Sequence, residues 1–408
     1  MPTNRGRSAR RADPVISSTA SFKGGRPTIP VARPLLPTAA QLLPYLSRID
    51  AARIYTNHGP LVLELRSRLA QHLSMPDGAV VCASSGTSAL VGAIIAAAGR
   101  ASPERPLAIV PAFTFAATAA ATEQCGYRPY LADVDAADWM LDPGKLASHP
   151  MLGQVGLVVP VAPFGRPLPL SRWTEFRCRT GIPVVVDAAA SFVAVSQEPG
   201  CRGEIPVCLS FHATKCFSTG EGGAVVCTDT ELVRRTARTL NFGVLDVRDC
   251  RSPGTNGKMS EYHAAIGLAQ LDGWDDRSAM WAEMAARYRT QFENMGLADA
   301  LHTMPQTGPN YVLLRCPRFG VDRILECLAE CGVDYRYWYG AGLHRQSYYA
   351  ELPRDDLNVT DGLATRLVGL PTAPDLPQAA ISRIAAAVAR GMGPVLAHRG
   401  TGLDATPG

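Results

Sequence analysis

A lysine in reactive surroundings, Lys215, lies between hydroxyl residues and a glycine cluster in residues 210–223 (SFHATKCFSTGEGG). Twenty-eight residues before it, the apolar run 184–186 ends in the carboxylate of Asp187. A lysine that forms a Schiff base with pyridoxal phosphate (PLP) needs an acid that keeps the pyridine nitrogen protonated, and it needs glycine and hydroxyl residues close to the phosphate. The pattern therefore predicts a PLP site with Lys215 and Asp187 as its catalytic residues. A surface lysine, and a carboxylate in a helix cap or salt bridge, are the alternatives.

A second segment could bind the phosphate of such a cofactor. Residues 82–90 (CASSGTSAL) follow an apolar pair and open an apolar helix that reaches Gly99. Gly86 lets the backbone approach an anion, Thr87 can cap the helix, and the free N–H groups of the first turn point toward whatever lies there. The same residues also fit an ordinary helix start without a ligand.

Two aromatic residues, Phe113 and Phe115, follow the predicted strand at residues 107–110. They would lie at the carboxyl edge of the sheet, where α/β proteins bind ligands. One of the two rings could stack on a cofactor ring. The spacing alone fits two core phenylalanines equally well.

Short apolar runs that alternate with helical stretches must position these residues. They predict strands at residues 107–110, 128–131, 155–161, 184–186 and 224–228. Such an alternation favours an α/β fold with a mainly parallel sheet covered on both faces. After Gly273 the pattern changes to α+β, with helices predicted at residues 281–292, 321–331 and 381–392 and a strand at residues 310–316.

We therefore expect a large domain of residues 31–275 and a smaller C-terminal domain of residues 276–395, flanked by a leader of residues 1–30 and a disordered tail of residues 396–408. The first 26 residues hold six basic residues against one acid. A transit peptide could have this composition, but no apolar face repeats at helical spacing, which favours a disordered leader.

Composition bounds the possible partners. A net charge of +4 over 408 residues, with 19% charged residues, gives no case for a nucleic-acid surface, and no apolar run approaches the roughly 20 residues needed to cross a bilayer. Eleven cysteines form no Cys-x-x-Cys pair, and Cys327 and Cys331 alone make a poor zinc site. These features predict a cytoplasmic protein with reduced thiols, without a metal and without a nucleic-acid or membrane partner.

Several blocks, taken in order, resemble the DegT/DnrJ/StrS family of PLP-dependent aminotransferases over roughly residues 51–392. The blocks that carry the resemblance are residues 57–62 (NHGPLV), 84–90, 111–118, 187–189, 210–223, 241–243 (NFG), 256–261 (NGKMSE), 264–271 (AAIGLAQL) and 369–371 (GLP). The resemblance implies the fold of fold-type I PLP enzymes, with a seven-stranded large domain. It also implies a homodimer whose active sites lie at the subunit interface.

The resemblance further implies a role for each site residue. Lys215 would hold PLP and then move a proton, Asp187 would hold the pyridinium, and Phe115 would stack on the ring. The phosphate would be bound by Gly86, Thr87 and Ser210, with Asn256 of the partner subunit. His344 would lie on the substrate side, although a half-exposed loop position fits it too, and Lys258 would meet a phosphate or carboxylate of the substrate.

The implied reaction moves an amino group from an amino acid, glutamate or glutamine, to a keto sugar, a nucleotide-linked sugar or a related cyclic ketone in biosynthesis, including secondary metabolism. An elimination or condensation with the same cofactor, or PLP binding without turnover, are the alternatives.

The chain departs from the family pattern at four places, and these put the usual substrate in doubt. Ala190 replaces a Gln or His near the phenolic oxygen of the cofactor, where Ser191 could substitute. Residues 162–164 (APF) lack a family His, and Lys258 replaces an Arg and loses its forked geometry. The loop at residues 244–253, which helps to bind the nucleotide sugar in typical members, is shorter than usual.

Overall fold

The computed structural model of the protein describes residues 28–245, 247–305, 307–317 and 320–399. The predicted leader at residues 1–30 and the predicted tail at residues 396–408 lie largely outside these ranges. Within them, no helix combines the length and the apolar character that a membrane span requires.

Seven strands form the central sheet, in the order β3-β2-β4-β5-β6-β7-β1. Their bounds are β1 Val80–Ala83, β2 Leu107–Pro111, β3 Arg128–Ala132, β4 Val155–Val158, β5 Val186–Asp187, β6 Val207–Ser210 and β7 Gly223–Val226. Parallel bridges from Val158 to Val184 and from Val161 to Asp187 join β4 to β5. β7 runs antiparallel to both of its neighbours, β1 and β6, and the other strand pairs are parallel. The predicted α/β class with a mainly parallel sheet is confirmed.

Residues on both faces of the sheet are buried, which explains why its strands read as continuous apolar runs. Neighbours along a strand point to opposite faces, so Val80 packs in one core cluster and Val81 in another. Ile109 and Val110 of β2 divide in the same way.

Helices cover both faces. They are α1 Ala39–Ala52, α2 Pro60–His72, α3 Gly86–Ala98, α4 Ala116–Gln124, α5 Pro143–Leu146, α6 Ser171–Thr180, α7 Phe192–Gln197, α8 Thr230–Leu240, α9 Glu261–Asp272 and α10 Trp274–Glu293. The predicted helix at residues 281–292 is the second half of α10. Gly273, read from the sequence as a break, is the N-cap of α10, and Asp275 and Asp276 in the first turn suit the positive end of the helix dipole.

A second sheet lies in the C-terminal part. It is antiparallel in the order β10-β9-β8, with β8 Leu301–His302, β9 Val312–Arg315 and β10 Leu367–Leu370, and its helices are α11 Val321–Glu330, α12 Asn358–Ala364 and α13 Gln378–Arg399. Asp133, directly after β3, accepts the backbone N–H groups of Val359 and Thr360 and so ties α12 to the central sheet. The predicted domain boundary between residues 275 and 276 falls in the first turn of α10 and stays a prediction.

Candidate active site

Lys215 lies in the compact connection between β6 and β7. Its N–H donates to the carbonyl of His212 (2.8 Å), and Ala213 donates to the carbonyl of Gly220 (2.8 Å), whose positive φ of 82° closes the turn. The half-buried side chain leaves this turn, and its Nζ donates to the hydroxyl of Tyr311 at 3.0 Å. The amine therefore stands at a fixed place at the end of the sheet.

Asp187 ends β5 and is 5% exposed. Its carboxylate accepts hydrogen bonds from the hydroxyl of Thr118 (2.7 Å) and the N–H of Ala189 (3.1 Å). Burial raises the pKa of Asp187, while these two bonds and the charge of Lys215 act in the opposite direction. Because a buried carboxylate is costly without a charged partner, this site suits a ring nitrogen that shares a proton.

The start of α3 packs directly against the ends of β6 and β7. A Cβ on Gly86 would lie 2.8 Å from the Cβ of Ser210, and one on Gly223 would lie 2.6 Å from the carbonyl oxygen of Ser85. Ser85 caps the helix by accepting the N–H of Ser88 (3.0 Å), and Thr87 stands beside it, partly exposed. We call Ser85, Gly86, Ser210 and Gly223 the cradle. Its close backbone approach and its free first-turn N–H groups suit a phosphate.

The two phenylalanines after β2 differ sharply in exposure. Phe113 is 2% exposed and packs edge-on against Tyr339, with ring centroids 5.1 Å apart. Phe115 is the N-cap of α4 and is 59% exposed. Phe113 is therefore a core residue, and Phe115 is the ring available for stacking, which stays a prediction.

Asn256 is exposed and follows the loop at residues 244–253. Its Oδ1 accepts from Lys258 Nζ at 2.8 Å, and that amine stands 4.3 Å from the centroid of the Phe242 ring. The next residue, Gly257, accepts the N–H of Ser84 through its carbonyl (2.7 Å). Asn256 and Lys258 thus lie at the surface beside the cradle of their own chain, and a role in a partner's site stays a prediction.

His344 is buried (8% exposed) and not half-exposed. Leu343 donates its N–H to the carbonyl of Ala112 (2.9 Å), which brings His344 to the carboxyl edge of the sheet. The Nε2 of His344 is 2.9 Å from Asp361, which also accepts from Arg345 (3.0 Å). Burial opposes ionisation of Asp361, but its hydrogen bonds with His344 and Arg345 prevail and lower its pKa.

Two of the four departures from the family pattern, Ala190 and residues 162–164, lie among aromatic rings. Ala190 (7% exposed) belongs to a buried cluster that contains Phe113, Phe164 and Tyr311. Phe164 stacks on Tyr339 with 4.4 Å between the ring centroids. We call Phe113, Phe164, Tyr311 and Tyr339 the aromatic wall. The hydroxyl of Ser191 is buried and has no hydrogen-bond partner among the described residues, so its predicted substitution for the missing polar group stays a prediction.

Three residues that make contacts in the site were not predicted from the sequence, namely Thr118, Tyr311 and Tyr339. Thr118 had a usable signal, since it follows Thr114 by one helical turn and the two hydroxyls lie 2.9 Å apart. Tyr311 and Tyr339 had none, because each reaches the site from the C-terminal part of the chain. The hydroxyl of Tyr339 accepts the N–H of Phe164 (3.1 Å), and burial and the neighbouring Tyr311 raise its pKa.

A lysine amine, a buried carboxylate that needs a cationic partner and a cradle of small residues lie at one end of a mainly parallel sheet. This fold and this donor set define a fold-type I PLP-dependent enzyme. The family model for the DegT/DnrJ/EryC1/StrS aminotransferase family matches residues 38–389. The chain belongs to that family and is a PLP-dependent aminotransferase.

Individual relatives agree with this assignment. The chain is 34% identical to "Protein Rv3402c" of Mycobacterium tuberculosis, over 93% of this chain and 95% of that protein. It is 33% identical to the dTDP-4-amino-4,6-dideoxy-D-glucose transaminase of Shigella dysenteriae, over 60% of this chain and 65% of that enzyme. A structure from Bacillus cereus ATCC 10987, assigned as a PLP-dependent aminotransferase, superposes with a TM-score of 0.82 at 29% identity, over 89% of this chain and all of that one.

Proposed function

We propose that the protein transfers an amino group from an amino acid, glutamate or glutamine, to a keto sugar, a nucleotide-linked sugar or a related cyclic ketone. The observation that carries the proposal is the placement of Lys215 and Asp187 close enough for the lysine charge to act on the carboxyl, beside the cradle. The Shigella dysenteriae relative, whose name specifies a nucleotide-linked sugar, supports a sugar acceptor.

Each residue at the cofactor site has a distinct task in this proposal. Bound PLP would supply the electron sink that makes the carbon–hydrogen bond of the donor acidic. Asp187 would hold a proton at the ring nitrogen, and Phe115 would stack on the ring. Gly86, Thr87 and Ser210 would bind the phosphate. Lys215 would attach the cofactor and, once its amine is free, would move a proton to and from the reacting carbon.

An acidic amino donor is supported by the charge around the lysine. Arg33 and Arg277 line a cavity next to Lys215. Arg33 pairs with Asp375 (2.7 Å), and Arg277 donates to the carbonyl of Leu35 (2.7 Å). Two guanidinium groups in a cavity that Lys215 also lines favour a substrate that carries carboxylates, such as glutamate.

A homodimer is supported by exposed apolar residues near Asn256. Ile54, Tyr55, Phe242 and Tyr262 are 44–53% exposed. Tyr55 and Tyr262 stack at 6.2 Å, and the N–H of Glu261 donates to the carbonyl of Tyr55. An exposed apolar patch of this kind suits a subunit interface, where Asn256 of the partner subunit would complete the phosphate site. The acceptor would then meet Lys258 and His344.

A cytoplasmic location is supported by the cysteines. All eleven are free thiols, and most are buried. Disulfides are rare in reducing compartments, so this state suits a cytoplasmic enzyme.

The visible absorption spectrum of the purified protein tests the proposed function. We expect PLP to produce a band that glutamate or glutamine converts to the pyridoxamine form, while alanine and aspartate act more slowly. The converted protein then returns to its first spectrum when a keto-sugar acceptor is added. If the band forms and no donor changes it, elimination, condensation or PLP binding without turnover replaces the transaminase proposal.

A further inference from the structure

Tyr311 makes the polar contact of the Lys215 amine. Its hydroxyl oxygen accepts from Nζ at 3.0 Å, and Nζ stands 5.6 Å from the centroid of its ring. The next residue upstream, Asn310, donates through Nδ2 to the carbonyl of Thr214 (3.0 Å). Two consecutive residues before β9 thus contact the lysine turn, one at its backbone and the other at its amine.

The Tyr311 ring has little freedom to leave this position. It is 6% exposed, and it packs edge-on against Phe164 and Trp338, each with ring centroids 5.5 Å away. The backbone is held as well, because the N–H of Tyr311 donates to Gly308 and its carbonyl accepts from the hydroxyl of Thr307. Because the ring is held rigidly, its hydroxyl oxygen has one position. The lysine side chain is flexible and has no fixed position of its own.

The turn that carries Tyr311 is itself docked on the large sheet. Gly308 donates its N–H to the carbonyl of Phe164 (2.7 Å). A Cβ on Gly165 would lie 2.8 Å from the Cα of Gly308, so the two backbones touch. The site that fixes the amine therefore depends on both sheets.

We propose that Tyr311 is a positioning residue for Lys215, which holds the amine by its phenol oxygen whenever the amine is free. One N–H of the Lys215 amine donates to Tyr311. The other positions on this nitrogen stay available for the proton that the transfer moves. The inference rests on the proposed function for its catalytic consequence. Ala190 lies in the same buried cluster and supplies no polar side-chain atom, whereas Tyr311 supplies one to the lysine.

Tyr311→Phe tests the proposal, because it removes the oxygen and keeps the ring. In the protein without PLP, we expect Lys215 to react about tenfold faster with acetic anhydride, measured by mass spectrometry of the Lys215 peptide, since no hydrogen bond must break first. In the protein with PLP, the rate of the donor half-reaction should fall about tenfold or more, while the donor concentration for half-saturation changes less than twofold.

Tyr339→Phe is the matched control. It removes a second phenol from the same wall, but its oxygen contacts the backbone of Phe164 and not the lysine. An unchanged labelling rate in Tyr311→Phe overturns the proposal, and so does an equal change in Tyr339→Phe, which would trace the effect to packing. The labelling experiment needs no cofactor, so its result stands even if the wild-type protein fails to transaminate and the proposed function is lost.

Discussion

The cradle and the aromatic wall flank the same lysine but consist of different kinds of residue. The cradle consists of small residues and backbone at the ends of β6, β7 and α3, where a single methyl group on Gly86 or Gly223 has no space. The wall consists of large rings drawn from both sheets, and its four rings include Tyr311 and Tyr339 from the C-terminal part. In the proposed function the cradle would bind the phosphate of the cofactor, which stays the same whatever the substrate, whereas the wall would face the substrate.

Replacing the residue between the two regions should have the largest effect. We expect Lys215→Ala to lower turnover about 10³-fold or more, because the variant loses both the attachment point and the proton carrier. The measurement is the steady-state rate with the best donor and acceptor, together with the visible band. Lys145→Ala is the control, since that lysine is 76% exposed and lies 3.7 Å from Asp135. More than a trace of turnover in Lys215→Ala would refute the assignment.

A methyl group in the cradle should act on cofactor affinity. In Gly86→Ala the new Cβ would stand 2.8 Å from the Cβ of Ser210. Overpacking of this kind costs about 1–3 kcal/mol, which corresponds to a PLP affinity about 5- to 150-fold lower in a titration of the visible band.

Gly153→Ala provides the matched control, because a Cβ there meets no atom within 4 Å. An unchanged PLP affinity in Gly86→Ala would show that the phosphate binds elsewhere and that the cradle is not its site.

The difference between the regions also explains what the sequence could predict. Asp187 ends a strand, Gly86 begins a helix and Lys215 lies in the turn that follows a strand. The apolar runs, the glycines and the cap residues around them are local signals. Tyr311 contacts the amine of Lys215, 96 residues away in the chain, and no local sequence pattern predicts such a contact. The antiparallel direction of β7 was hidden for a related reason, since an apolar run of four residues reads the same in either direction.

Replacing His344 should affect the substrate side of the site, next to the wall. We expect His344→Asn to slow the acceptor half-reaction about tenfold and to leave the donor half-reaction within about twofold, because the hydrogen bond from Leu343 to Ala112 places His344 beside Phe113 of the wall. Stopped-flow spectra of the two half-reactions separate these effects. Tyr348→Ala, at a 77% exposed position four residues away, is the control. Equal slowing of both half-reactions would mean that His344 does not discriminate between the two substrates.

The smallest expected effect concerns the stability of the protein without cofactor. Burial raises the pKa of Asp187 in the folded state, so the carboxyl supports the fold most at pH values below its unfolded pKa of about 3.9 and loses that contribution as the pH rises through the folded value. Asp187→Asn has no such loss. Its free energy of unfolding relative to the wild type should therefore increase as the pH rises above the unfolded pKa.

Urea unfolding at several pH values, with and without PLP, measures this difference. Bound PLP would give the wild-type carboxylate its cationic partner, so the wild type should gain more from the cofactor than Asp187→Asn does. Thr118→Val, which removes a hydrogen bond to the carboxylate but leaves the acid, should steepen the pH dependence. If the difference in unfolding free energy between wild type and Asp187→Asn does not change with pH, water reaches Asp187 in solution and burial does not raise its pKa.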